Sequence, residues 1–174
     1  VSLATHSPFL GKLHTEHPTP VLIMSGESGE AVIQETYRRV CIAKGWSSGK
    51  VQDLYFSFSV PQLVNRVHLA EIEAFILDKD IRVLVVDPTY LAMAGIADNA
   101  GNLFAVGHQL VGLTELGTRT ETTIVLAHHT TKSSLNHDGP PELEHIAWSG
   151  FSEWCRQGTP LSRREKYDPE KAGS

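Results

Sequence analysis

The sequence has few cysteines, no long apolar run and no excess of positive charge, and each scarcity excludes a class of protein. Two cysteines in 174 residues cannot build a disulfide framework, and so few are typical of a reducing compartment such as the cytoplasm. The formal net charge of −5 supplies no general basic surface for nucleic acid, so such a contact would need a local patch. No apolar run approaches the roughly 18 residues of a membrane-spanning helix, so we expect no membrane partner.

The remaining composition is that of a globular protein. Hydrophobic residues make up 41% of the chain and charged residues 20%, which argues against global disorder. This length suits one domain with a sizeable core. We predict a single domain over residues 1–167 and a tail over 168–174. Because residues 1–4 are typical of the end of a helix, we expect this domain to be incomplete at its N-terminus.

Short apolar segments alternate with amphipathic ones along the chain. Apolar runs bounded by turn residues predict strands at 21–25, 53–57, 82–86 and 122–127. Helical spacing predicts helices at 29–44, from Pro61 to Leu77, and at 102–117. The buried side of the second helix is expected to consist of Leu63, Val67, Ala70, Ala74 and Leu77.

The third predicted strand is apolar on both faces, so Val83, Leu84 and Val85 should be almost fully buried. Strands of this kind alternating with helices predict an α/β fold, a three-layer sandwich around a mainly parallel sheet. In such sheets the chemistry lies just beyond the carboxyl ends of the strands. We therefore expect Glu27, Asp87 and His128 or His129, which follow three of the strands, to converge at one end of the sheet.

Two acidic residues lie just beyond the ends of predicted strands. Asp87 ends a buried strand, where a carboxylate can hold a magnesium-bound nucleotide, although it could equally cap the next turn. Glu27 could act as a general base that polarises water for attack on a phosphoryl group. The alternative is that Glu27 satisfies free amide groups at the start of the helix at 29–44.

Histidines and basic residues form two further candidate groups. His128 and His129 could bind metal, move protons or contact a phosphate, but neighbours on an extended chain point in opposite directions. Because His137 and His145 complete no zinc pattern, a phosphate contact from a histidine or Lys132 suits this segment better, unless it is a polar loop. The basic stretch at 156–166 could reach a phosphate across a subunit interface or on DNA, or form a solvated tail.

The motif G-x-x-x-x-G-K-[ST], which cradles phosphates, is absent from the sequence. Gly11–Lys12 is the only early Gly-Lys pair. It lacks the upstream glycines, and Leu13 stands where the motif needs serine or threonine. The sequence therefore has candidate carboxylates without the loop that usually accompanies them.

The order of the segments nevertheless resembles one family. Gly-Glu-Ser follows the first strand, VVDPTY spans the end of the third, HHTTK follows the fourth, and Ser149–Gly150 and an arginine-rich end come last. This order, over residues 2–167, resembles the RecA-like P-loop ATPases related to the RepA hexameric replicative helicase, often encoded by mobile elements. The segment at 7–12 resembles the linker after their phosphate-loop helix, so the loop itself is expected just upstream of Val1. One departure is Pro160, which stands where relatives have an apolar strand.

The resemblance implies a role for each candidate residue. Asp87 matches the Walker B aspartate, which binds Mg²⁺, and Glu27 matches the catalytic glutamate. His128, His129 and Lys132 match the segment that senses the γ-phosphate of ATP or couples it to DNA-binding loops. Arg156 is a candidate for contacting the nucleotide of a neighbouring subunit.

The function that the resemblance implies is that of an ATPase core in a hexameric ring, which couples ATP hydrolysis to translocation along single-stranded DNA. A KaiC- or RecA-like regulatory ATPase, which gates a partner without unwinding DNA, is the first alternative. A non-catalytic module is the second, because the sequence lacks the phosphate loop.

Overall fold

The computed structural model describes residues 1–95, 101–131, 141–148 and 150–162. Four strands lie in these ranges: β1 (Val21–Ser25), β2 (Leu54–Ser57), β3 (Val83–Asp87) and β4 (Thr123–Leu126). The helices are α1 (Ser2–Thr5), α2 (Glu30–Ala43), α3 (Arg66–Asp78), α4 (Thr89–Ala92), α5 (Leu103–Thr120) and α6 (Phe151–Trp154). Short 3₁₀ helices cover Ser48–Lys50 and Leu143–His145. The predicted boundary between residues 167 and 168 lies outside the described residues.

The four strands form one sheet in the order β2-β1-β3-β4, and every neighbouring pair is parallel. Ile23 of β1 pairs with Phe56 of β2 on one side and with Val85 of β3 on the other. All four strands lie within two residues of their predicted positions, and β3 lies inside the sheet. The predicted parallel α/β architecture is therefore confirmed.

Helices cover both faces of this sheet, as a three-layer sandwich requires. Adjacent residues of a strand point to opposite faces, and on β2 the Phe56 ring contacts Tyr37 of α2 whereas the Tyr55 ring contacts Phe75 of α3. Both pairs are edge-to-face, with ring centroids 5.7 Å apart. Helix α2 therefore packs on one face, and α3 packs on the other.

The main core lies between the sheet and helices α3 and α5. Side chains from β1, β3 and both helices meet there and are almost fully buried, among them Leu22, Met24, Ile72, Ile76, Leu84, Val86, Leu110 and Leu113. The opposite face is less covered, and the prediction that Val83 and Val85 are almost fully buried is wrong. Both are only partly buried, because α2 packs over the β2 side of this face, and Val125 of β4 is 44% exposed.

Helix α3 differs most from its prediction. It begins at Arg66, where the Asn65 side chain accepts a hydrogen bond from the Val67 amide at 2.9 Å, and Pro61 does not start it. The predicted buried side of this helix is wrong for the four of its residues that lie in α3. The predicted helical spacing was counted from Leu63, which is buried but lies in the loop before the helix. Helix α3 buries Ile72 and Ile76 instead and leaves exposed Val67, Ala70, Ala74 and Leu77.

We expect Leu84→Ala to lower the free energy of unfolding by about 2–5 kcal/mol, because it leaves a cavity in the core. Leu84 has no exposed surface, whereas Leu77 on α3 is 64% exposed and provides the same substitution without a cavity. Leu77→Ala should change stability by no more than about 0.5 kcal/mol. Urea unfolding of the two variants checks this, and equal losses would contradict the burial of β3.

Candidate active site

The chain turns sharply after β1 and so places Glu27 at the end of the sheet. The Gly26 amide donates to the Asp87 carbonyl oxygen at 3.0 Å, which holds the turn against β3. A Cβ atom on residue 26 would lie 2.7 Å from Val60 Cγ2 and 3.0 Å from Leu91 Cδ1, so the packing leaves space for glycine alone. The N-cap residue of α2 is Gly29, and among the described residues the hydrogen bond of the Glu27 side chain comes from Tyr90 and not from an amide of α2. The helix-start alternative is therefore not what the structure shows.

Asp87 is the last residue of β3 and lies opposite Ser25 of β1. Helix α4 follows at once, but its N-cap residue is Pro88 and no side chain caps it. Asp87 therefore does not cap the turn that follows β3. Within the described residues the exposed Asp87 carboxylate forms no ion pair. It is therefore available to a ligand at the carboxyl end of the sheet.

Tyr90 is a member of the site that the sequence alone does not indicate. Its hydroxyl donates to Glu27 Oε1 at 2.6 Å. The preceding residue, Thr89, is fully buried and donates from both its amide (2.8 Å) and its hydroxyl (2.9 Å) to the Ala127 carbonyl oxygen. Helix α4 is thereby held against the end of β4, and Tyr90 projects toward Glu27. The only sequence signal was its position three residues after Asp87.

His129 joins the same cluster from the segment after β4. Its Nε2 lies 4.0 Å from Glu27 Oε1, and its ring centroid lies 5.7 Å from that of Tyr90. The side chains of His129 and Glu27 are 65% and 50% exposed, so their attraction, which needs a protonated imidazole, is screened by water. The structure thus brings the side chains of Glu27 and His129 together, and the Gly26 amide joins this turn to the backbone of Asp87.

His128 points away from Glu27 and packs against the segment that follows. Its ring centroid lies 4.5 Å from that of Phe151 and 5.9 Å from that of Trp148. Both ring nitrogens are buried, and neither makes a hydrogen bond of regular geometry in the part of the chain that the structure describes. Burial, and secondarily the neighbouring His129, lowers the pKa of His128 to about 4, so this ring is neutral at pH 7.

The two histidines border one open cleft of about 320 Å³, which Tyr90, Ala147 and Trp148 complete. The cleft lies directly beside Glu27, because Tyr90 and His129 contact that carboxylate. Aromatic rings therefore form much of its wall.

The other predicted site residues are not part of this cluster. Lys132 lies outside the described residues, as do Arg163, Arg164 and Lys166. Arg156 is exposed just after α6, and among the described residues no contact links it to the site. No three histidine, cysteine or acidic side chains of the described ranges gather as metal ligands, and no helix there is long and apolar enough to cross a membrane.

A parallel sheet with flanking helices and acidic residues after neighbouring strands is consistent with a RecA-like P-loop core. Comparison with known families agrees. The family model described as "AAA domain" matches residues 1–134, a stretch that includes all four strands, Glu27, Asp87 and both histidines. The chain therefore belongs to this AAA domain family of P-loop ATPases. A search of curated proteins finds no match.

The buried imidazole of His128 predicts a pH-dependent loss of stability. As the pH falls from about 6.5 to about 4, the unfolded chain binds a proton at this ring and the folded chain does not. The free energy of unfolding should therefore decrease across this window and lose no more from His128 below it. Urea unfolding at several pH values checks this.

His128→Phe should remove this component, whereas His108→Phe, which changes an exposed residue of α5, should retain it. An unaltered pH dependence in His128→Phe would show that the ring is not buried in the folded chain.

Proposed function

We propose that this chain is the ATP-hydrolysing core of a RepA-like replicative DNA helicase, which couples hydrolysis to translocation along single-stranded DNA. The observation that carries the hydrolytic part is the placement of Glu27 beside Asp87 at the carboxyl end of a parallel sheet. Membership of the AAA domain family supports it. In ATPases of this architecture, positioning and electrostatic stabilisation supply most of the catalysis.

The donor set suits Mg²⁺ held between protein and nucleotide. Mg²⁺ prefers oxygen ligands and usually keeps several waters, with one or two carboxylates and substrate phosphates completing its shell. The Asp87 carboxylate, which is exposed and has no ion pair among the described residues, fits this pattern, and these residues form no closed metal cage. When bound there, Mg²⁺ would neutralise charge on the β- and γ-phosphates, and Asp87 would hold it.

Glu27 is the residue best placed to activate water. Its carboxylate is half exposed at the mouth of the site, and Oε1 already accepts a hydrogen bond from Tyr90. In the proposed reaction Glu27 accepts a proton from the water that attacks the γ-phosphorus, while the bond between this phosphorus and the β,γ-bridging oxygen breaks and ADP leaves. His129, 4.0 Å from the same carboxylate, lies where a phosphate oxygen could accept a hydrogen bond from its ring.

Binding of ATP needs positive donors that Glu27 and Asp87 do not provide. Two carboxylates repel a polyphosphate unless a cation intervenes, and the 174 residues contain no phosphate loop. We therefore propose that the phosphate groups are held by further donors: Lys132 of the same chain and Arg156 of a neighbouring subunit in a ring are candidates. Because these two residues replace neither the backbone amides nor the lysine of a phosphate loop, the 174-residue chain by itself should bind ATP weakly and hydrolyse it negligibly.

We expect Glu27→Gln to abolish ATP hydrolysis while ATP binding is retained, because the amide cannot accept the proton but keeps the size of the side chain. The measurement is steady-state phosphate release with Mg²⁺ in the longest reading frame that contains these residues, beside the 174-residue chain. A loss of at least about 100-fold, at the low end for general base catalysis, is expected.

Glu30→Gln is the matched control, because Glu30 lies exposed in the first turn of α2 and its side chain hydrogen-bonds to Gln34. It should leave turnover unchanged. Full turnover in Glu27→Gln would remove the proposed base. Rapid hydrolysis by the 174-residue chain would contradict the expectation that ATP hydrolysis here needs the amides and lysine of a phosphate loop.

The net charge of −5 favours the alternative function, that of a regulatory ATPase that does not act on DNA. The response to single-stranded DNA distinguishes the helicase from this alternative. A translocating helicase should hydrolyse ATP several-fold faster with single-stranded DNA, and the DNA affinity should fall steeply as salt rises. Phosphate release with and without an oligonucleotide, at two salt concentrations, measures both effects. A rate of ATP hydrolysis that does not change when DNA is added would contradict the helicase function and support the regulatory ATPase.

A further inference from the structure

The shortest polar contact of the candidate site joins two residues that lie 63 positions apart in the sequence. The Tyr90 hydroxyl donates to Glu27 Oε1 at 2.6 Å, which is the length of a strong hydrogen bond to an ionised acceptor. This contact connects the end of β1 with α4, the short helix that follows β3. Its position makes Tyr90 a partner of the proposed base.

The backbone around Tyr90 is held on both sides. Thr89 donates twice to the end of β4 at Ala127. Beyond Tyr90, the Leu91 carbonyl oxygen accepts from Gln62 Nε2 at 2.8 Å, and the Ala92 carbonyl oxygen accepts from the Leu63 amide at 2.7 Å. A tyrosine ring has only two side-chain torsions, so a fixed backbone leaves its hydroxyl few positions.

Glu27, in contrast, has little that holds it apart from this contact. It follows a glycine, precedes α2 by three residues and is half exposed. A glutamate in such a place samples several rotamers, and ordering it costs conformational entropy. The hydroxyl of Tyr90 therefore selects one orientation of the carboxylate from many.

The two contacts of this carboxylate fall on the same oxygen. Tyr90 Oη and His129 Nε2 both approach Oε1, at 2.6 Å and 4.0 Å. Within the described ranges of the chain, Oε2 takes part in no hydrogen bond or ion pair. We infer that Tyr90 is a positioning residue, which fixes Oε1 of Glu27 and so presents Oε2 to the water that Glu27 activates. This inference rests on the proposed function of Glu27.

The Tyr90 hydroxyl keeps its proton and so remains a hydrogen-bond donor to Glu27. The hydrogen bond to Glu27, followed by burial and the charge of that carboxylate, raises the pKa of Tyr90 above its usual value. Tyr90 therefore stays protonated at neutral pH and does not compete with Glu27 as a base.

Tyr90→Phe tests the inference, because it removes the hydroxyl and leaves the ring. We expect kcat for ATP hydrolysis to fall about tenfold, while KM for ATP changes by less than about twofold, since only the orientation of the base is lost. Tyr37→Phe is the matched control. Its hydroxyl also donates at 2.6 Å, to the Ser48 carbonyl oxygen at the other end of α2, and its loss should leave kcat unchanged.

A Tyr90→Phe variant with the parent kcat, in a protein that Glu27→Gln inactivates, would overturn the inference and leave the proposed function intact. A second measurement does not depend on hydrolysis. The ionisation of Tyr90 is followed by phenolate absorbance and identified by its loss in Tyr90→Phe. Glu27→Gln should move this ionisation to lower pH, because the carboxylate charge is gone.

An unmoved ionisation would show that the two side chains do not meet in solution, and would overturn the inference. If the ionisation moves but Glu27→Gln still hydrolyses ATP, the contact stands and the proposed function of Glu27 fails. The two failures are therefore distinguishable.

Discussion

The parallel pairing of β1 with β3 is the constraint on which the site depends. It places Ser25 opposite Asp87, and the Gly26 amide extends the pairing by one hydrogen bond beyond the last residue of the strand. The two acidic residues therefore reach the same end of the sheet through backbone geometry alone. Slipping this register by one residue would turn every side chain of one strand to the opposite face and separate the carboxylates.

The strands could be predicted from the sequence, because short apolar runs between turn residues usually form buried strands. The orientation of α3 could not, since both of its sides carry apolar residues and only contact with the sheet decides between Ile72 and Val67. The same limit applied to Val85, whose partial exposure depends on how far α2 extends across the sheet.

The acidic members of the site were visible in the sequence because they lie at the end of a strand or two residues beyond it. The role of Tyr90 was not, because a tyrosine three residues after Asp87 is usually a packing residue, and its partner lies in a distant segment. The alternation of an extended chain predicts that the side chains of His128 and His129 point in opposite directions. It does not predict which of them contacts Glu27, because that depends on how Trp148 and Phe151 pack against His128.

The space at Gly26 has a consequence for how related sequences can vary. A methyl group at this position would occupy volume already taken by Val60 and Leu91, which come from two other segments of the chain. These three positions share one small volume, so a larger residue at any of them requires a smaller one at another. Across relatives with this turn, changes at positions 26, 60 and 91 should therefore be correlated, although the three residues are far apart in the sequence.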